Sequence, residues 1–185
     1  TLNSIGPIWT HSGNTTLNAG TIAASINSTG QLTVNGGNIE TGGSSYGSLA
    51  GSGGTININS GTFTVGGDNT STTWSGTFGA VAGDLVKNGT GTLTLTGAPL
   101  NTGSTPAAVT ISGGTLQIGT GAPLVVSGNF GGDVVNNGTL VVNNDAGGFF
   151  VVLKGLSGIG NLVKNGTGTL NSIGPIWTHS GNTTL

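Results

Sequence analysis

The chain has 185 residues, enough for one domain with a core of its own. Gly supplies 39 of them, charged residues only 4%, and the net charge is −2. The cations are Lys87, Lys154 and Lys164 with no Arg, so the basic stripe of a nucleic-acid groove is excluded. The glycines follow no Gly-X-Y period, which excludes collagen. Hydrophobic residues make up 34% and mean hydropathy is positive, unlike the charged, apolar-poor composition of disordered chains. Cys is absent, so there is no disulfide frame and no thiolate metal site. No apolar run reaches the length of a membrane span. Met and a signal peptide are also missing, as expected of a segment internal to a longer chain.

Residues 1–17 read TLNSIGPIWTHSGNTTL, and residues 169–185 repeat them without a change, at an offset of 168. The expected organisation is one tandem unit, 1–168, followed by the start of the next identical unit, 169–185. Between the copies, short alternating runs are bounded by turn residues. They fall at 31–34 (QLTV), 55–58 (TINI), 62–65 (TFTV), 92–96 (TLTLT), 115–118 (TLQI) and 139–142 (TLVV). Alternation places Leu, Ile, Val or Phe on one face and Thr, Asn or Gln on the other. Asn-Gly or Gly-Gly pairs at 35–38, 88–89, 113–114, 137–138 and 165–166 suit corners that need positive φ. Helix formers are scarce, and Gly interrupts almost every window.

Hairpins in a sandwich or barrel compete with a solenoid of stacked coils. The solenoid is favoured, because one coil is too small to bury its own apolar face and stacking makes a continuous core. An apolar path through Leu17, Ile39, Phe63, Val86, Val109, Val135, Leu162 and Leu185 closes on the repeat in seven steps averaging 24 residues. A second path, through Leu93, Leu116 and Leu140, slips before Leu170 and suggests an insertion near 145–154. The expected fold is therefore all-β, a parallel β-helix of about seven coils per 168 residues. Its axial repeat would be about 34 Å, or about 38 Å with eight coils. The inward residues are expected to be Leu32, Val34, Ile56, Ile58, Leu93, Leu95, Leu116, Ile118, Leu140 and Val142.

From residue 85 the chain reads LVKNGTGTLTLTG, from 111 ISGGTLQIG, and LVKNGTGTL returns at 162–170. These phrases resemble the passenger-associated repeats of autotransporter-type, type V secreted surface proteins. The resemblance implies a right-handed parallel β-helix exported to the cell surface. It covers 85–119 and 162–170. The stretch 98–106 departs from it, with two prolines where that family has a polar Asn-Thr-Tyr-Thr-Gly-like turn, and no translocating barrel is present.

Little in the sequence points to catalysis. Glycan cleavage needs two carboxylates held together. Glu40, Asp68, Asp84, Asp133 and Asp145 are scattered, and no two stand at i, i+2. Gly43-Ser44-Ser45-Tyr46-Gly47 matches G-x-S-x-G, but a nucleophile elbow needs a strand-to-helix turn and a partner His. His11 and His179 are one repeat position seen twice. Gly-Asp pairs at 67–68, 83–84 and 132–133 lack the nonapeptide pattern of calcium β-rolls. The numerous Asn-X-Ser/Thr sequons, at Asn14, Asn27, Asn69, Asn88, Asn137 and Asn165 among others, are explained by turn chemistry. Large aromatics are few: Trp9, Trp74, Trp177, Tyr46 and the pair Phe149-Phe150 stand out. Ile8 and Trp9, with Trp74 and with Trp177 as the repeat image of Trp9, are the candidate packing or inter-fibre contacts.

The expected function is that of a structural or adhesive extracellular or cell-surface fibre. It would have no catalysis and no cofactor. Its partners would be copies of itself, end to end and laterally, and surface glycans, with no nucleic acid. The alternatives are a glycan-binding or glycan-active β-helix, or an ice- or glycan-binding face made of rows such as Thr92, Thr94 and Thr96.

Overall fold

A computed structural model describes residues 1–3, 8–97, 108–122, 128–145, 151–172, 174 and 177–185. The chain is all-β with no helix among these residues, and its parallel strands stack as a β-solenoid with about seven turns between its two end turns. The first turn holds β1 (Leu2–Asn3), β2 (Trp9–His11) and β3 (Thr15–Leu17). The second holds β4 (Thr21–Ala23), β5 (Ile26–Ser28) and β6 (Gln31–Val34). The third holds β7 (Asn38–Thr41), β8 (Ser44–Tyr46) and β9 (Ser48–Ala50). Then come β10 (Thr55–Ile58), β11 (Thr62–Val65) and β12 (Thr72–Trp74). β13 (Thr77–Val81), β14 (Asp84–Lys87) and β15 (Thr92–Leu95) make the fifth. Later turns contain β16 (Val109–Ile111) and β17 (Thr115–Ile118), β18 (Gly128–Asn136) and β19 (Thr139–Asn143), and β20 (Val151–Ser157) and β21 (Asn161–Asn165). The last turn contains β22 (Leu170–Ser172) and β23 (Thr183–Thr184).

Each of the first five turns contributes one strand to each face, and every pairing between turns among the described residues is parallel. β1-β4-β7-β10-β13 form the first face and β2-β5-β8-β11-β14-β16-β18-β20-β22 run along the second. β3-β6-β9 and β12-β15-β17-β19-β21-β23 form the third, joined by a parallel bridge between Gly51 and Trp74. β18 and β20 are long enough to turn a corner. Their register shifts between Phe130 and Asp133, and the early part of β20 pairs with β22.

Seven turns lie between the two copies of the repeated segment, and each copy forms the turn at one end. The third face gives the stacking path. It runs from Leu17 to Val34, through the Gly51–Trp74 bridge, and on to Leu95, Ile118, Val142 and Lys164. From β3 to β23 there are eight turn-to-turn steps. This is not the apolar path read in the sequence. Ile39 lies on the first face, between Ile22 and Ile56, and Phe63 lies on the second, beside Leu85. All three faces carry the same alternation, so apolar pattern alone cannot distinguish one face from the next. The second path does hold, and without a slip: Leu93, Leu116, Leu140 and Leu162 are consecutive partners. Of the suggested insertion, 146–150 lie outside the described residues, as do Phe149-Phe150 and the proline-bearing stretch 98–106.

The core is the column of inward residues from all three faces. Each of the ten residues expected inside is at most 2% exposed. Near the middle, aromatic rings pack against one another. Tyr46 and Phe63 lie 6.0 Å apart, Phe63 and Phe78 6.4 Å, and Phe78 and Trp74 4.9 Å edge to face. Corners are built where the sequence placed Gly. Gly37 has φ +78, and a Cβ there would lie 2.3 Å from the Gly20 carbonyl oxygen of the turn below. No other residue fits that conformation and that approach together.

Leu116 has a neighbour above and below, Leu93 and Leu140, and is fully buried. Leu116→Ala is expected to destabilise the solenoid by about 2–5 kcal/mol. Leu185→Ala, at a position 93% exposed, should change stability by no more than about 0.5 kcal/mol. Chemical denaturation of the two variants checks the contrast.

Candidate functional site

The acids stay apart in space as they do in sequence. The Glu40 carboxylate accepts from Asn57 Nδ2 at 2.6 Å and from Asn59 Nδ2 at 3.0 Å. Asp84 Oδ1 accepts from the Ala108 amide, and Asp145 Oδ1 from the Thr167 amide. Asp133 is exposed on β18. Among the described residues no three His, Cys, Asp or Glu side chains come together as metal ligands do. Ser45 of the G-x-S-x-G match lies within β8, not at a strand-to-helix turn, and its hydroxyl donates to Asn27 Oδ1. His11 Nε2 bonds Thr15 Oγ1 at 3.1 Å. His179 Nε2 lies 2.6 Å from the Gly160 carbonyl, which can only accept, so Nε2 carries the proton there.

The candidate contact residues divide into two kinds. Trp74 is 1% exposed, on the inward side of the third face, and its Nε1 donates to the Gly53 carbonyl at 2.9 Å. Trp9 and Trp177 are 42% and 40% exposed, and Ile8 53%. Both tryptophans belong to the inward column of the second face. Trp9 stands over Ile26, and Trp177 pairs with Leu156. Their exposure therefore comes from standing on the terminal turns, and it points along the axis rather than sideways.

LVKNGTGTL occurs twice but is not placed twice on the same face. At 85–93 its LVK lies on the second face, in β14, and its TL on the third, in β15. At 162–170 its LVK lies on the third face, in β21, and its final Leu170 opens β22. The phrase therefore encodes a corner, and the corner is usable at more than one vertex of the coil. In both copies the lysine turns back on the corner's own carbonyls. Lys87 Nζ donates to the carbonyls of Asn88 at 2.6 Å and of Gly89 and Gly113 at 3.4 Å. Lys164 Nζ donates to those of Asn165, Gly166 and Asn144. Burial pushes both amines below the usual lysine range, with Asp68 and Asp145 respectively pulling the other way.

Among the described residues, a recess lies at the corner between the second and third faces. In the third turn the corner between the second and third faces is a single residue, Gly47, between β8 and β9. In the fourth turn the same corner runs over residues 66–71. The longer corner overhangs the shorter one. The amides of Gly66 and Asp68 both donate to the Gly47 carbonyl, at 2.9 and 3.1 Å, and Asn69 takes φ +64 to close the loop. Asp68 Oδ1 accepts from the Thr70 amide and hydroxyl, and Oδ2 from Ser48 Oγ at 2.7 Å. The result is an open cleft of about 350 Å³ bordered by Ser45, Tyr46, Thr64, Asp68 and Asn88. The sequence reading noted Tyr46 and Asp68 singly but did not bring them together. The available signal was the contrast in corner length, one residue between TFTV-like runs against six.

Burial pushes the Asp68 carboxyl up, but the donors from Ser48 and Thr70 together outweigh it and hold the group below the usual carboxylate range. A carboxyl whose folded pKa is depressed stabilises the fold above its unfolded pKa, about 3.9, and that contribution is lost as pH falls through the folded value. Asp68→Asn should therefore lower Tm at pH 7, and the gap from wild type should close below about pH 4. Thermal melts of both proteins across pH 2–7 read this directly.

No family model, no characterised protein and no solved structure is significantly similar to this chain.

Proposed function

We propose that this chain is a stretch of a structural or adhesive fibre, a long β-solenoid of tandem 168-residue units with no catalysis and no cofactor. Its first partner is its own next unit. The observation that carries this reading is the complementarity of the two copies of the repeated segment. Among the described residues the strands of the first copy pair with the turn after it: Leu2 with Ile22, Trp9 with Ile26 and Leu17 with Val34. The second copy pairs with the turn before it: Leu170 with Val151, Trp177 with Leu156 and Thr183 with Leu162. Trp9 and Trp177 both stand on the second face, and β3 and β23 both lie on the third, whereas Leu2 opens the five-stranded sheet and Leu170 a strand of the nine-stranded one. Superposed, the two half-environments make one turn sandwiched on both sides, with the indole between Leu156 and the next unit's counterpart of Ile26. A solenoid whose unit begins and ends in one register can be continued without a break.

The Thr, Ser, Asn and Gly surface and the absence of Cys support an extracellular or cell-surface setting. The passenger-repeat resemblance of 85–119 supports an autotransporter-like origin, since a parallel solenoid is the fold that family implies. Scattered carboxylates, of which Glu40, Asp68, Asp84 and Asp145 are already held by amide or hydroxyl donors, support the absence of catalysis.

Chains carrying one, two and three further 168-residue units test the proposal. With eight steps per unit at about 4.8 Å each, rods in electron micrographs should lengthen by about 38 Å for every unit added, at constant width. Added units that fold as separate beads, or that widen the particle instead of lengthening it, would contradict it.

A further inference from the structure

We propose that the recess over Gly47 is a binding site for a neutral, hydroxyl-rich sugar ring, independent of the fibre reading. The site is built rather than incidental. Gly47 forms its floor, and no side chain fits there: a Cβ would lie 2.1 Å from the Thr29 carbonyl oxygen and 2.9 Å from Asp68 Oδ2. The overhanging corner is fixed by the paired amide bonds to the Gly47 carbonyl and by the Asp68 bonds to Ser48 and Thr70. At about 350 Å³ the space lies at the lower end of the usual range for ligand clefts, roughly 300–1,000 Å³.

Its chemistry selects the ligand class. Tyr46 is 3% exposed and borders the recess, yet its hydroxyl has no hydrogen-bond partner among the described residues. Burial keeps that phenol protonated and thus a donor. Thr64 and Asn88 also border the recess, and the Thr64 hydroxyl and the Asn88 amide nitrogen make no hydrogen bond among the described residues. Asp68 Oδ2 receives one bond, from Ser48, and keeps a lone pair to offer. The recess thus offers both donors and acceptors, as sugar hydroxyls require. The nearest cation, Lys87, is turned into the carbonyls of Asn88, Gly89 and Gly113. The recess therefore presents one negative charge and no free positive one, which disfavours phosphate, sulfate and uronate.

The test is titration calorimetry of the 185-residue chain with maltose, lactose, cellobiose and diacetylchitobiose, and with digalacturonate as the anionic control. At least one neutral disaccharide should bind saturably, in the roughly millimolar range, and digalacturonate at least about tenfold more weakly. Tyr46→Phe, which keeps the ring and removes the hydroxyl, should weaken binding about three- to tenfold. If Tyr46→Phe lowers Tm appreciably, Thr64→Val on the outer side of β11 serves in its place, with the same expected loss. No saturable binding of any neutral disaccharide, equal binding of digalacturonate, or unchanged affinity in the folded variants would each overturn the proposal.

Discussion

The parallel backbone ladder between successive turns is the constraint on which everything else rests. It gives buried amides and carbonyls their partners without help from charged side chains. A chain with 4% charged residues can then remain folded, because its polar demand is met by the backbone and by short side chains that copy the ladder. Asn14 Oδ1 accepts from the Gln31 amide, Asn69 Oδ1 from the Thr90 amide, and Asn161 Oδ1 from the Asn182 amide, each one turn on. These asparagines extend the ladder around the corners. The cost is intolerance at the glycines: backbone passes so close to backbone that a methyl group at Gly37 or Gly47 has nowhere to go.

Stacking also explains why the interior is uniform while the outside is not. Each inward residue meets its counterpart 4.7–4.9 Å above and below, so the core needs only apolar residues of similar width. Corners face solvent and are free to vary in length. The recess at Gly47 arises from that freedom, since a one-residue corner lies beneath a six-residue one without disturbing the columns inside.

Much of this was legible in the residues. The alternation of QLTV, TINI, TLTL and TLQI fixed which side chains turn inward, and Asn-Gly and Gly-Gly marked corners at Gly37, Gly89, Gly114 and Gly166, all at positive φ. Face assignment was not legible. Leu85 and Leu162 sit in the same nine-residue phrase, yet one pairs with Phe63 on the second face and the other with Leu140 on the third. Local sequence determines a strand and a corner, and the number of corners already passed determines the face. For the same reason the apolar path through Ile39 and Phe63 crossed faces. The exposure of Trp9 could not be read either, because it is a core-column residue uncovered by its position on a terminal turn. Nor could the pairing of Tyr46 with Asp68, which depends on two corners of unequal length lying one above the other.

The central claim is that residues 1–17 and 169–185 are the same turn, eight steps apart on one axis. Thr16 and Thr184 are exposed, and both belong to the strands of the third face. Spin labels on Thr16→Cys and Thr184→Cys, in a chain that has no other cysteine, measure the separation by electron–electron double resonance. Eight steps predict a single narrow distance near 38 Å, broadened by the label linkers to about 35–45 Å. A broad distribution, or a peak well below about 30 Å, would contradict a continuous parallel stack in that register.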